Sequence, residues 1–291
     1  MTFLSIVWNW NPEIFKIGSL AIRWYSLMFV ITFMLGLYLM KKIFIQDNIP
    51  VQKLDPLFVY VAISMLIGMR LGEVFFYSWS YYKNHLLEIF LPIEKQQGAT
   101  AFFGLLKGWK FTGFSGLASH GAAISIPIAL YFFAKKHIDK PKPWLFILDR
   151  LGIVVALSGF FIRLGNFFNS EIYGKLTGSS FGVIFKRAGE VEPRYPTQLF
   201  EAFSYLLLFF ILWYFYWKTD KKKQTGFLFG VFMVALWSLR FFIEFLKEPQ
   251  VESREDWVFN LLNTGQVLSI PLVLIGLWLV FKKSEQNPKA D

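Results

Sequence analysis

Apolar residues in this chain come in long unbroken runs separated by short polar connections, with neither the alternation of a half-buried strand nor the single stripe of a surface helix. A helix that crosses the hydrocarbon core of a bilayer needs about 20 such residues. Seven runs meet that length: Leu20–Met40, Pro56–Tyr77, Leu117–Ala134, Trp144–Ile162, Leu199–Trp217, Gly226–Leu246 and Leu261–Phe281. The pattern predicts an all-α polytopic membrane protein with about seven transmembrane helices. Phe3–Ile17 is apolar and aromatic but interrupted by Asn9, Asn11, Pro12 and Glu13. It reads as a segment lying in the membrane interface. Met1–Asn11 has no positive n-region and no small-residue cleavage site, so the mature chain is expected to begin near Met1.

The polar connections fall into two sets that differ in basic charge. Lys41–Asp55, Lys135–Lys142, Lys218–Gln224 and Lys282–Asp291 hold 14 Lys and Arg in 40 positions, whereas the alternate set holds 12 in 107. Basic connections stay in the cytoplasm. This bias places the N-terminus outside and the C-terminus in the cytoplasm, as an odd number of spans requires. Two outer connections, Ser78–Gly116 and Arg163–Thr197, are long and carry Gly, Pro and polar residues. They predict a small outward-facing cap of loops, with residues 163–197 as its head segment. No internal repeat divides the chain, so 1–291 reads as a single membrane domain.

Composition sharpens this picture. The chain is 55% hydrophobic and 20% aromatic, with 35 Phe, which is more apolar surface than a soluble core can use. The net charge of +10 is explained by anionic lipid and by topology. No basic cluster is interleaved with a stacking platform, so nucleic acid is not an expected partner. The absence of cysteine excludes disulfides, thiolate metal sites and a cysteine nucleophile on this chain. His85, His120 and His137 share no short spacing with each other or with a carboxylate pair. No metal site is expected, and nothing in the sequence asks for a cofactor.

Ionisable residues inside a span are costly and point to function. Here they gather toward the outer ends of the runs: Arg23 beside Trp24 and Tyr25, Arg70 with Glu73, His120, Arg163, Glu201, and Arg240 with Glu244. Each has a structural explanation when taken alone. Arg23 can snorkel, Arg240 and Glu244 share a helix face and can pair, and Glu73 can be the local partner of Arg70. Several spans bringing charge to one depth on one side is what independent pairs do not explain. His120 lies among small residues in Gly116–Ala123, which let helix backbones approach closely. It fits a buried hydrogen-bonded histidine or a group that handles a proton.

The densest polar stretch is Arg163-Leu-Gly-Asn-Phe-Phe-Asn-Ser-Glu-Ile-Tyr-Gly174. Arg163, Asn166, Asn169 and Glu171 offer a forked donor, two amides and a carboxylate. Gly165 and Gly174 permit tight turns. Such groups suit a phosphate and the hydroxyls of a small polyol, or a loop that satisfies itself. A second motif, Tyr195-Pro-Thr-Gln-Leu-Phe-Glu201, opens the next run.

These residues resemble the phosphatidylglycerol–prolipoprotein diacylglyceryl transferase family. Arg163–Gly174 is similar to the family signature Arg-x-Gly-Asn-Phe-x-Asn-x-Glu-x-x-Gly at every specified position. Pro12 through Gly18 to Arg23-Trp24-Tyr25-Ser26, Arg70–Tyr77, Ser119-His120-Gly121, Pro196–Glu201 and Arg240–Glu244 resemble further family blocks. Ala122 replaces a second glycine after His120, Leu236 stands where the family often has a tyrosine, and Tyr195 replaces a histidine. The resemblance implies seven spans, an outside N-terminus and a place in the bacterial inner membrane with the site on its outer face. It implies transfer of the diacylglyceryl group of phosphatidylglycerol to a lipobox cysteine thiol, with thioether formation and release of glycerol 1-phosphate. On that reading Arg163 and Arg240 hold the phosphate, and His120 or Tyr25 assists thiol deprotonation or binds lipid polar groups. Asn166, Asn169 and Glu171 orient the glycerol headgroup, Glu244 positions Arg240, and Gly174, Glu201 and Arg70 complete the substrate site. A small-anion transporter or channel is the competing class, although the charges sit toward one surface and no inverted repeat is visible.

Overall fold

The computed structural model describes residues 5–17, 20–91, 93–101, 106–111, 118–138, 144–248, 256–258 and 261–282. Gly18, Gly116, Leu117 and parts of the basic stretches Lys135–Lys142 and Lys282–Asp291 lie outside them. Nine helices are present among the described residues: α1 Trp24–Gln46, α2 Leu54–Phe76, α3 Trp79–Tyr82, α4 Leu86–Phe90, α5 Ser119–His137, α6 Trp144–Phe168, α7 Thr197–Lys218, α8 Phe227–Ile243 and α9 Thr264–Phe281. Six helical segments, built on α1, α2, α6, α7, α8 and α9, are long and apolar enough to cross a membrane. The seventh expected run is α5, 19 residues long, and it is not among the six. Its ends carry His120 and Lys135-Lys136-His137, and Pro127 lies inside it.

The spans are helical as expected, but the connections depart from an all-α fold. Among the described residues, eight short strands form four two-stranded ladders. β1 Ser5–Trp8 pairs in parallel with β6 Gly182–Phe185, and β2 Glu13–Ile17 pairs antiparallel with β3 Leu20–Arg23. β4 Ile93–Ala101 pairs with β5 Leu106–Phe111, and β7 Asp256–Val258 with β8 Leu262–Asn263. The N-terminal aromatic segment is therefore extended. Backbone amides outside a helix still require partners, and β6 supplies them to β1. The run at Leu20 was expected to start a helix. Leu20–Arg23 instead completes the β2–β3 hairpin, and α1 begins at Trp24.

The chain packs as two compact units, Met1–Leu54 with Pro141–Asp291, and Asp55–Lys140. In the first unit α6 packs on α1, α7 and α8, and α8 packs on α7 and α9. Glycine sets the α8–α9 approach: a Cβ on Gly230 would lie 2.9 Å from the Gly276 carbonyl oxygen. Ile43, Phe44, Ile147, Ile153, Leu212 and Leu228 fill the interior. Phe203 and Leu207 on α7 and Leu274 and Trp278 on α9 are 60–61% exposed. Apolar faces this open suit a hydrocarbon environment.

One end of α6 holds a charge cluster that the sequence reading passed over. Arg150 is buried, with Nε 2.8 Å from Asp47 Oδ2, and its guanidinium lies 3.5 Å from the Phe146 ring centroid. Asp149 accepts from the backbone amides of Gly226 at 2.7 Å and Phe229 at 2.8 Å, capping the start of α8. At the other end of α6, Trp8 packs on Phe167 and Phe168, and Trp24 stacks on Phe168. In the second unit α2 and α5 meet at Gly68, Gly72 and Gly121, where a Cβ on Gly121 would overlap the Gly68 carbonyl. Ser125 Oγ donates to Ser64 O across the same contact, at 2.7 Å.

Candidate active site

The sequence pattern ends the fourth run at Ile162, but α6 continues through Phe168. Arg163 and Asn166 thus share a helical face three residues apart, and Arg163 Nη1 donates to Asn166 Oδ1 at 3.2 Å. The chain then turns sharply. Ser170 and Ile172 adopt φ of 54° and 59°, a left-handed conformation that is strained for a β-branched residue. α7 holds this turn in place. Gln198 Nε2 donates to Glu171 O at 2.7 Å, and Thr197 Oγ1 donates to Ile172 O at 2.9 Å. Glu171 is held by amides, with Oε1 accepting from Asn166 Nδ2 at 2.8 Å and from Asn169 Nδ2 at 3.3 Å.

Gly174 sits where two backbones converge. Its amide donates to Tyr195 O at 2.8 Å, it bridges to Lys247, and a Cβ there would fall 2.6 Å from the Leu246 carbonyl oxygen. Gly165 has a similar constraint, since a Cβ would lie 2.7 Å from Tyr25 Cδ2. Tyr25 packs there, close to Asn166 and within the fields of Glu171 and Arg163.

Glu201 is fully buried and joins the helices. Its Oε2 lies 2.9 Å from Arg163 Nε, and its Oε1 accepts from Lys247 Nζ at 2.9 Å. Lys247 Nζ is also 3.6 Å from Glu244 Oε2, while Glu244 Oε1 accepts from Asn263 Nδ2 at 3.2 Å. Asn263 is the N-cap of α9 in a reciprocal capping box with Gln266. Arg240 is near enough to Glu201 and Lys247 to act on their charges. Its Nε has no hydrogen-bond partner among the described residues. Burial pushes the Lys247 ammonium down to about 8, against the upward pull of Glu201 and with Arg163 and Arg240 adding to the fall.

The first unit therefore connects Tyr25, Arg163, Asn166, Asn169, Glu171, Gly174, Glu201 and Glu244, with Arg240 beside them. Glu201, expected to complete the substrate site, and Glu244, expected to position Arg240, are both engaged by protein donors. His120 and Arg70 belong to the second unit. His120 Nδ1 lies 3.2 Å from Tyr77 Oη, and the Arg70 guanidinium donates to the carbonyls of Glu88 and Ile89 beneath the Tyr82 ring. Glu73 accepts from Ser78 Oγ at 2.9 Å.

Lys247 is the site residue that sequence reading missed. It follows an apolar run, where a lysine ordinarily reaches for headgroups. Its spacing of three from Glu244 was the available signal. The Asn-x-x-Gln pattern at Asn263–Gln266 was a second.

The model for prolipoprotein diacylglyceryl transferase matches residues 12–282. This chain belongs to that family. Among relatives named phosphatidylglycerol–prolipoprotein diacylglyceryl transferase, the one from Tolumonas auensis is 39% identical over 284 residues, covering 98% of this chain and 100% of the relative. The Bacteroides fragilis relative is 38% identical over 278 residues, covering 96% and 95%. That from Chloroherpeton thalassium is 38% identical over 281 residues, covering 97% and 95%. The resemblance read from Arg163–Gly174 is borne out over nearly the whole chain. As a member of the prolipoprotein diacylglyceryl transferase family, the chain is a transferase of lipoprotein biosynthesis, and its six long apolar helices suit a multi-pass membrane enzyme.

Proposed function

We propose that this chain moves the diacylglyceryl group of phosphatidylglycerol to the thiol of a lipobox cysteine in a prolipoprotein. The thiol sulfur forms a thioether to the glyceryl carbon, the carbon–oxygen bond to phosphate breaks, and glycerol 1-phosphate leaves. The proton of the thiol is taken up by a base or by solvent. The carrying observation is the buried Glu201 that holds the Arg163 guanidinium in place beside Arg240. Cations fixed by buried carboxylates stabilise a departing phosphate without reorganising during the reaction.

Asn166, Asn169 and Glu171 form a neighbouring polar patch suited to glycerol hydroxyls. Tyr25, against Gly165, lies beside this patch. His120 in the second unit and Tyr25 are the two groups assigned to thiol deprotonation or to lipid polar contacts. A free thiol titrates at about 8.5, so a nearby base or positive field raises its reactivity. In this reading the protein sits in the bacterial inner membrane with seven spans, its N-terminus outside and its site on the outer face. That is where a secreted prolipoprotein arrives.

The test is thioether formation on a lipobox peptide presented with phosphatidylglycerol vesicles, read by mass. Wild-type protein is expected to add one diacylglyceryl group per cysteine and release glycerol 1-phosphate. Arg163→Ala is expected to lower transfer by about 100-fold or more while leaving a folded, membrane-inserted protein. Full activity in that variant refutes the arginine assignment. Anion flux across vesicles without any transfer would replace the enzyme reading with the transporter.

A further inference from the structure

We propose that Lys247 is a positioning residue of the transfer site, one that neutralises Glu201 and Glu244 from within and so leaves the charge of Arg163 and Arg240 available to the substrate phosphate. The inference rests on the transfer reading above. It starts from a problem of charge. Arg163 Nε lies 2.9 Å from the fully buried Glu201. Alone, that pairing would cancel the guanidinium at short range, and a cancelled guanidinium attracts a phosphodiester weakly. Lys247 Nζ occupies the other Glu201 oxygen at 2.9 Å and approaches Glu244 at 3.6 Å. Three cations, Arg163, Arg240 and Lys247, then face two carboxylates, Glu201 and Glu244, and this inner cluster carries one surplus positive charge. Lys247 is itself only 8% exposed. Its backbone is bridged to Gly174, so the ammonium is fixed to the signature segment as well as to α7.

The surplus depends on pH. Arg163 from α6, Glu201 from α7, Arg240 from α8 and Glu244 from the turn after α8 all bear on the ammonium, whose pKa is brought down to about 8 chiefly by burial. Lys247 is charged below that pH and neutral above it. As pH rises through it, Glu201 and Glu244 are left to the two arginines and the surplus disappears. Thiol ionisation runs in the opposite direction, rising with pH. The two are separated by comparing wild type with Lys247→Arg, whose charge persists across the range.

The experiment measures kcat and KM for phosphatidylglycerol in mixed micelles, with a lipobox peptide, from pH 6.5 to 9.5. It uses wild type, Lys247→Arg and Lys247→Met. In wild type, kcat/KM relative to Lys247→Arg should fall by about tenfold per pH unit once pH passes about 8, the behaviour of a single ionisation. Lys247→Met should raise KM for phosphatidylglycerol by about tenfold or more at pH 7, with a smaller change in kcat, and should lose the alkaline fall relative to Lys247→Arg. A flat wild-type to Lys247→Arg ratio overturns the proposal even if Lys247→Met does not fold. So does a folded Lys247→Met with the wild-type KM. If wild type makes no thioether, it is the transfer reading that fails. The same three proteins are then compared for binding to phosphatidylglycerol vesicles across that pH range, where a pH-independent ratio of wild type to Lys247→Arg overturns the charge argument separately.

Discussion

Glu201 is the residue on which the site's electrostatics turn. A carboxylate with no solvent exposure is held by Arg163 on one oxygen and Lys247 on the other. Removing one partner of such a group strands the remaining charges in a poorly solvated place. Glu201→Gln is expected to destabilise the protein by about 3–5 kcal/mol, measured as a loss of thermal stability in detergent. Adding Lys247→Met to it should cost less than the two single changes summed, because the second change removes a cation that the first left unpaired. Gly174→Ala tests a steric demand of the same region. A Cβ there would lie 2.6 Å from the Leu246 carbonyl, so the variant should lose both stability and transfer although no functional group has changed. Arg163, Asn166, Asn169 and Glu171 were legible in the sequence because polar residues beside a long apolar run stand out. Lys247 was not, since a lysine just past such a run resembles a headgroup contact, and only tertiary packing reveals that it points inward.

The elements were legible where one long period dominates. Six of the seven runs are helices long and apolar enough to span. Boundaries failed where charge or brevity misled. A charge such as Arg163 ordinarily marks the end of an apolar helix, yet α6 runs on because Phe167 and Phe168 find partners in Trp8 and Trp24. Leu20–Arg23 merged with the following run, although it pairs with Glu13–Ile17 as a hairpin. Asp149 and Arg150 lay unremarked inside a predicted span. Asp149 fixes the start of α8 through two backbone amides. Asp149→Ala should cost at least about 0.5–2 kcal/mol for the lost cap, visible as a lower melting temperature. The KM for phosphatidylglycerol should be unchanged in the protein that remains folded, because α8 meets Asp149 at the end opposite Arg240.

At the scale of the whole molecule, the basic bias of the connections is the feature on which the proposed orientation rests. The chain contains no cysteine, so a single introduced thiol reports one location without background. Arg187→Cys and Lys223→Cys are both at exposed positions, on connections assigned to opposite sides. A membrane-impermeant thiol reagent applied to intact spheroplasts should label the first. It should label the second only after the membrane is opened. The reverse pattern would invert the proposed topology and put the site on the wrong side for a secreted substrate.

The helix α6 is fastened twice, by Arg150 to Asp47 near its start and by Arg163 to Glu201 near its end. Sliding by one residue would shift it about 1.5 Å along its axis and turn it about 100°, breaking both attachments at once. A rod clamped at two points behaves as a fixed jaw. On the proposed reading, lipid entry and departure of the modified peptide fall to other parts of the protein, and α6 is the wall expected to keep its place against the phosphate.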